Sequence, residues 1–142
     1  MGEAREVMDR LNAAAFEKKD FKAAAECYAE GAVAVTPDQG EITGREAIAE
    51  YLRQLADPFP DLRYEYQAKY ESGNVAIDEG YATGTNSAPL PMPTGETIPA
   101  TGKQIRVRSC DVAAVEDGRI TSHRLYFDQM EFLEQLGLLP DS

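Results

Sequence analysis

Residues 105–127 read Ile105-Arg106-Val107-Arg108-Ser109-Cys110-Asp111-Val112-Ala113-Ala114-Val115, then Glu116-Asp117-Gly118, then Arg119-Ile120-Thr121-Ser122-His123-Arg124-Leu125-Tyr126-Phe127. A strand turns successive side chains to opposite faces, so Ile105, Val107, Ser109, Asp111, Ala113 and Val115 share one face and the arginines take the other. Two such runs flanking Asp-Gly turn chemistry predict an antiparallel hairpin, with its register left open between two loops. A three-residue loop with a left-handed Gly118 pairs 115 with 119 and sets Asp111 opposite His123. A two-residue type I′ turn at Asp117-Gly118 pairs 116 with 119, sets Asp111 opposite Arg124 and sends His123 to the other face.

Working outward, the two-residue period recurs upstream. Leu62, Tyr64, Tyr66, Ala68 and Tyr70 alternate with Arg63, Glu65, Gln67 and Lys69, which predicts a strand with its aromatic residues on one face. Ser72-Gly73-Asn74 turns the chain into a further strand over 75–85. Residues 86–102, rich in Pro, Thr and Gly, form a long connection of the length found in lids, binding loops or surface slack. Before residue 57 the period is helical. Val7, Met8, Leu11, Ala14 and Ala15, then Phe21, Ala24, Ala25 and Tyr28 after a polar break, predict two antiparallel helices, the second ended by Gly31. Ala32–Thr36 has strand composition and Pro37-Asp38-Gln39-Gly40 is turn chemistry. A third helix starts near Gly44, carries Ala47, Ile48, Tyr51, Leu52 and Leu55, and is stopped by Pro58 and Pro60. A short terminal helix carries Phe132, Leu133 and Leu136. Helices first and antiparallel strands afterwards define an α+β domain, one domain over 1–142, with the N-terminal helices on the concave face of a curved, mostly antiparallel sheet.

Composition excludes several functions. The 142 residues are 43% hydrophobic and 27% charged, with a net charge of −11 that repels nucleic acid and anionic membranes. The N-terminus lacks the pattern of a secretory signal and no apolar run is long enough to span a bilayer, so a cytoplasmic location is expected. Cys27, Cys110 and one histidine cannot assemble a structural zinc site, and neither a metal nor a disulfide is expected. No P-loop, dinucleotide glycine fingerprint or nucleophile elbow is present, so no cofactor is expected.

Asp111 is the only charge in its row and is expected to be desolvated. Burial without a partner disfavours the ionised carboxylate, which suits a general acid or near-neutral base. The structural alternatives are an outward-facing side chain or an ion pair with Arg106 or Arg108. His123, in a row with Thr121, Leu125 and Phe127, is either a structural histidine or the partner of Asp111 in an acid–base dyad. Asp128 opens Asp128-Gln129-Met130-Glu131, a capping-box pattern that accounts for it, although a cap at a pocket mouth can also act in chemistry. Phe16, Tyr28, Tyr51 and Phe127, with further tyrosines, would line an apolar pocket for a small, flat, carbonyl-containing molecule.

Asp20-Phe21-Lys22-Ala23 leading to Tyr28-Ala29-Glu30-Gly31-Ala32-Val33, Thr43-Gly44-Arg45-Glu46-Ala47-Ile48, Phe59-Pro60-Asp61-Leu62, Gly84-Thr85, Pro93-Thr94-Gly95 with Thr101-Gly102-Lys103, Glu116 through Ile120, and Asp128 through Gly137 resemble, in that order, the SnoaL-like polyketide cyclases, or ester cyclases, of the nuclear transport factor 2-like superfamily. The resemblance implies a cystatin-like conical barrel, often a homodimer, with cofactor-free acid–base chemistry inside the cone. In such cyclases an aspartate removes an acidic proton and the enolate attacks a carbonyl of the same molecule; the base falls at Asp111 or Asp128. By the same likeness, ketosteroid isomerases carry their base where this chain has Thr36 and their oxyanion tyrosine where it has Asn12. Only their neutral aspartic acid is matched, by Asp111. Limonene epoxide hydrolases carry a water-activating aspartate where this chain has Leu125. Cyclisation, or a related lyase or isomerase reaction, is therefore the expected activity, and a non-catalytic ligand-binding or dimerisation module is the alternative.

Overall fold

In a computed structural model, which describes residues 2–92 and 94–139, N-terminal helices lie across one face of a six-stranded mixed sheet. The helices are α1 (Glu3–Asn12), α2 (Phe21–Glu26), α3 (Arg45–Ala56) and the terminal α4 (Gln129–Gln135), with a π-helical turn over Ala13–Glu17. The sheet holds β1 (Tyr28–Thr36), β2 (Gly40–Thr43), β3 (Arg63–Ser72), β4 (Val75–Thr85), β7 (Gln104–Glu116) and β8 (Arg119–Phe127), in the order β2-β1-β8-β7-β4-β3. Strands β1 and β8 pair parallel; the other neighbours are antiparallel. The α+β class and the helices on the sheet's inner face agree with the sequence expectation.

Helix α1 buries Ala4, Val7, Met8 and Leu11 along one stripe, with Glu3 and Glu6 at the positive end of its dipole and Arg10 at the other. Glu71, at the end of β3, accepts the Gly2 and Arg5 N–H groups at 2.9 Å each, supplying donors of the first turn with a partner from far along the chain. Helix α2 stops at Cys27, so Tyr28 opens β1 and Gly31 lies within that strand, in place of the longer helix expected. Pairing explains the difference: the Cys27 carbonyl accepts the Ile120 N–H at 2.8 Å, and sheet formation with β8 overrides the helical period. Strand β2, of which the sequence reading covers only Gly40, as the end of a turn, pairs with the end of β1 from Thr36↔Gly40 to Val33↔Thr43.

Two bulges set the inner face. In β3, Tyr66 pairs with Gly80 but Ala68 pairs with Glu79, so one extra residue at Gln67 reverses the alternation. Tyr64 and Tyr66 therefore face the helices, whereas Ala68 and Tyr70 face away and Lys69 and Glu71 replace them. The expected single row from Leu62 to Tyr70 is broken there. In the β7–β8 hairpin, Glu116 pairs with Arg119 across Asp117 (φ 51°) and Gly118 (φ 77°), a type I′ turn. A bulge at Thr121 then shifts the pairing from Val115↔Ile120 to Ala114↔Ser122, and Asp111 comes opposite Leu125 and Ala113 opposite His123. Neither expected register is observed. The turn is that of the second, but the bulge returns His123 to the face of Asp111.

The connection 86–102 is a small hairpin of β5 (Leu90–Pro91) and β6 (Thr97–Ile98), clamped by the buried Asn86. The Asn86 amide donates to the Pro58 and Ala88 carbonyls and its oxygen accepts the Thr101 N–H and hydroxyl. Two apolar clusters fill the space under the helices. One gathers α1, α2 and α3 over Ala76, Ala113, Val115, Ile120 and Leu125; the other gathers Phe59, Leu62, Leu90, Ile105, Val107 and Leu136. Along β7 the two clusters meet at Ser109 and Asp111, and along β4 at Asp78 and Gly80. A polar band thus crosses the inner face at the seam between two cores.

Candidate active site

The seam holds two carboxylates with opposite surroundings. Asp78 and Asp111 are direct partners in the β4–β7 register, so both side chains leave the inner face as cross-strand neighbours. Asp78 is 1% exposed and fully engaged: Arg5 Nη2 donates at 2.6 Å and Asn12 Nδ2 at 2.7 Å. Arg5 is in turn held by Asp9 and by the Tyr70 and Ile77 carbonyls. Burial works against the Arg5 charge, yet the bond to Asp9 and the charge of Asp78 keep its pKa above the usual value. This is a closed, saturated cluster.

Asp111 is 8% exposed and, among the described residues, accepts no hydrogen bond. The Nε2 of His123 lies 3.7 Å from Oδ1, beyond hydrogen-bond range. The buried Nε2 has no partner among the described residues, and Nδ1 is 2.7 Å from the hydroxyl of the fully buried Tyr28. The Tyr28 and His123 rings lie nearly parallel at 5.9 Å. Burial pushes the Tyr28 phenol well above its usual pKa, and the charge of Asp111 adds to the shift. The phenols of Tyr51, Tyr64 and Tyr66 are likewise raised, first by burial and in part by the charge of Asp111.

The other sequence-selected residues are distributed as follows. Phe16, on the π-helical turn, stacks on Tyr64 with ring centroids 6.5 Å apart and packs against both apolar clusters. Tyr51, on α3, donates to Asp38 Oδ1 at 2.7 Å. Asn12 spends its amide on Asp78. Phe127 packs against the second cluster. Asp128 is exposed and caps α4, its Oδ1 accepting the Glu131 N–H at 3.0 Å, but the other half of the capping box is not formed: the Asp128 N–H goes to the Arg108 carbonyl and Glu131 Oε1 accepts the Arg108 N–H. Arg106 and Arg108 lie on the outer face, paired with Glu65 and Glu131, and leave Asp111 alone. Asp78 and Arg5 were not singled out in the sequence. The signal was available for Asp78: the row Ala76, Asp78, Gly80, Ala82 has the same single-charge form as the row of Asp111. Arg5 had none, because a charge in the first turn of a helix reads as solvent-facing.

Two depressions mark the surface, and neither is lined by Asp111 or His123. One of about 580 Å³ is lined by Ala29, Glu30, Arg45, Glu116, Asp117, Arg119 and Thr121; another of about 510 Å³ lies on the outer face among Glu79, Tyr81, Arg108, Cys110, Tyr126 and Asp128. Among the described residues, no group of three or more His, Cys, Asp or Glu is arranged to hold a metal ion, and no helix is long and apolar enough to cross a membrane.

The α+β fold, with helices over one face of a mixed sheet, is the ketosteroid isomerase-like, or nuclear transport factor 2-like, fold of solved structures it resembles. The chain belongs to the SnoaL-like domain family, whose model matches residues 8–123. None of the curated proteins matches it. Among solved structures it is similar to a candidate SnoaL-like polyketide cyclase from Jannaschia sp. CCS1, at 17% identity over 97% of this chain and 94% of the other, with a TM-score of 0.83. It is also similar to AclR, a candidate hydroxylase from Streptomyces galilaeus (18% identity, 98% and 87% covered, TM-score 0.80), and to IdmH, a candidate polyketide cyclase from Streptomyces antibioticus (24% identity, 96% and 99% covered, TM-score 0.78). At these identities the likeness is one of fold, which hosts more than one activity.

Proposed function

We propose that the protein is a cofactor-independent enzyme that transfers protons on an enolisable, apolar, polyketide-like carbonyl compound and closes a ring within it by aldol-type addition. The observation that carries this reading is the contrast between the cross-strand carboxylates: Asp78 is saturated by Arg5 and Asn12, whereas Asp111 has no donor and faces an unpartnered imidazole nitrogen. The Asp111 carboxylate takes the proton from a carbon between two carbonyl groups, and the electron pair of that C–H bond moves onto a carbonyl oxygen. The enolate carbon then bonds to a second carbonyl carbon of the same molecule, and the new alkoxide recovers the proton from Asp111. Holding the substrate folded would supply several kcal/mol of the barrier reduction.

Proton exchange tests this without the native substrate. Flat aromatic 1,3-dicarbonyl compounds incubated in D2O should exchange their central C–H faster with the protein, followed by proton NMR, and Asp111→Asn should slow that catalysed exchange by ~100-fold or more. Equal exchange by both proteins would remove Asp111 from the chemistry. A non-catalytic ligand-binding or dimerisation module is the second reading, supported by the tyrosines that leave the Asp111 side chain only 11% exposed; no catalysed exchange with any such compound would favour it.

A further inference from the structure

Tyr28 has one phenolic proton and, among the described residues, one acceptor for it: Nδ1 of His123 at 2.7 Å. In the Nδ1–H form the Tyr28 O–H would stay unpaired and a bare Nε2 lone pair would face the Asp111 carboxylate at 3.7 Å, whereas in the Nε2–H form the Tyr28 O–H is paired and the one orphaned donor is turned toward that carboxylate. The neutral imidazole therefore keeps its remaining proton on Nε2, the atom that is buried, unpartnered and turned toward Asp111. At 3.7 Å the Nε2–H does not bond the carboxylate; it is a donor with its acceptor missing.

From this we infer that Tyr28 is a positioning residue that locks His123 in its Nε2–H tautomer, and that this N–H is the donor for a carbonyl oxygen of the ligand, next to the carbon whose proton Asp111 removes. His123 then acts as a neutral hydrogen-bond donor to the developing enolate oxygen. The role as a base sharing protons with Asp111, left open by the sequence, is set aside. When Asp111 takes the proton, negative charge passes to the oxygen on Nε2–H, and the imidazole neither gains nor loses a proton. The ligand class narrows accordingly to compounds that present an acceptor oxygen one bond from an acidic C–H. The groups that face the ring and Asp111 are Tyr28 from β1, Asp78 from β4, Tyr64 and Tyr66 from β3 and Tyr51 from α3. The inference about the ligand rests on the proton-transfer reading above; the tautomer does not.

His123 is the only histidine in 142 residues, so imidazole-labelled protein gives one set of ring ¹⁵N signals. Long-range ¹⁵N–¹H NMR of the unmodified protein at pH 7 should show the Nε2–H form in roughly tenfold excess, because the other form turns an Nε2 lone pair toward the Asp111 carboxylate. A dominant Nδ1–H form, or a cationic ring, overturns the lock. Tyr28→Phe, with folding checked by circular dichroism, should let the two tautomers equilibrate and slow dicarbonyl exchange ~10-fold, against the ~100-fold of Asp111→Asn; an unchanged tautomer ratio also overturns it. Saturating wild-type protein with 2-acetyl-1-tetralone should move the Nε2–H proton resonance, and an unmoved resonance with bound diketone overturns the donor role. Loss of the Asp111 effect with the tautomer intact would sink the proton-transfer reading while leaving the lock in place.

Discussion

Arg5→Met is the perturbation that most directly tests the account of Asp78 as a closed structural cluster. The substitution keeps a linear apolar side chain at a buried helix position and removes the guanidinium that lies 2.6 Å from a carboxylate of 1% exposure. Removing one partner of a buried ion pair costs about 3–5 kcal/mol, because the other charge is left without compensation. Asn12 still donates to Asp78 at 2.7 Å, which places the cost near the lower end, about 3 kcal/mol, even though the Tyr70 and Ile77 carbonyls also lose their donor. Stability of a domain of this kind is on the order of 5–15 kcal/mol, so about 3 kcal/mol is a large fraction and lowers the melting temperature by about 10 °C. Asp78→Asn alone should cost less, about 1–2 kcal/mol, since Arg5 retains Asp9 at 2.8 Å. The double variant leaves no orphaned charge and should be about 1–2 kcal/mol more stable than the sum of the single effects requires. Urea unfolding followed by circular dichroism at pH 7 measures all three. A cost below about 1 kcal/mol for Arg5→Met, or additivity within about 0.5 kcal/mol, would refute the reasoning.

Two further outcomes follow from the same packing. Tyr28 and Tyr51 are buried with phenols raised above the usual value by desolvation, so the folded state keeps both protons where the unfolded chain loses them. Their stabilising effect is complete below about pH 10 and is lost as pH rises toward the folded values; stability should fall by about 3 kcal/mol per pH unit above pH 10, and tyrosinate absorbance should appear together with unfolding. A flat stability between pH 10 and pH 11 would contradict this. Gly80 lies beside the β3 bulge, where an added Cβ would sit 1.9 Å from the Glu65 carbonyl oxygen, so Gly80→Ala should destabilise by more than about 2 kcal/mol. Gly31→Ala, which meets nothing within 4 Å, should stay within about 0.5 kcal/mol, and equal unfolding midpoints for the two variants would show the bulge to be yielding.

What the chain reveals of itself before folding divides along a physical line. The periods of α1, α3, β4, β7 and β8 are local properties of consecutive side chains, and they are legible: the α+β class, the inner row of Asp111 and the cap at Asp128 all come from them. The long-range terms are not local. Nothing near Tyr28 announces that the Cys27 carbonyl will accept the Ile120 N–H and end α2 early, because that bond depends on where β8 lies. Arg5 reads as a first-turn surface charge until β4 places Asp78 beneath it.

The bulges matter most, since one extra residue reverses every side chain beyond it. A period-two reading carried through Gln67 puts Tyr66 and Tyr70 on one face, and carried through Thr121 gives two registers for His123 that are both displaced from the real one. The Thr121 bulge is what creates the site. A type I′ turn without it would send His123 outward, leave the Tyr28 proton without an acceptor and set Asp111 opposite Arg124. With it, the only imidazole of the chain enters the seam two residues along from Asp111. There the ring nitrogen lies 3.7 Å from the carboxylate, beyond hydrogen-bond range. A direct cross-strand pairing of 111 with 123 would have favoured a contact ion pair, a satisfied structural feature of the same kind as Arg5 and Asp78. The offset that defeats the simple reading of the hairpin is thus the feature that leaves both groups free for chemistry.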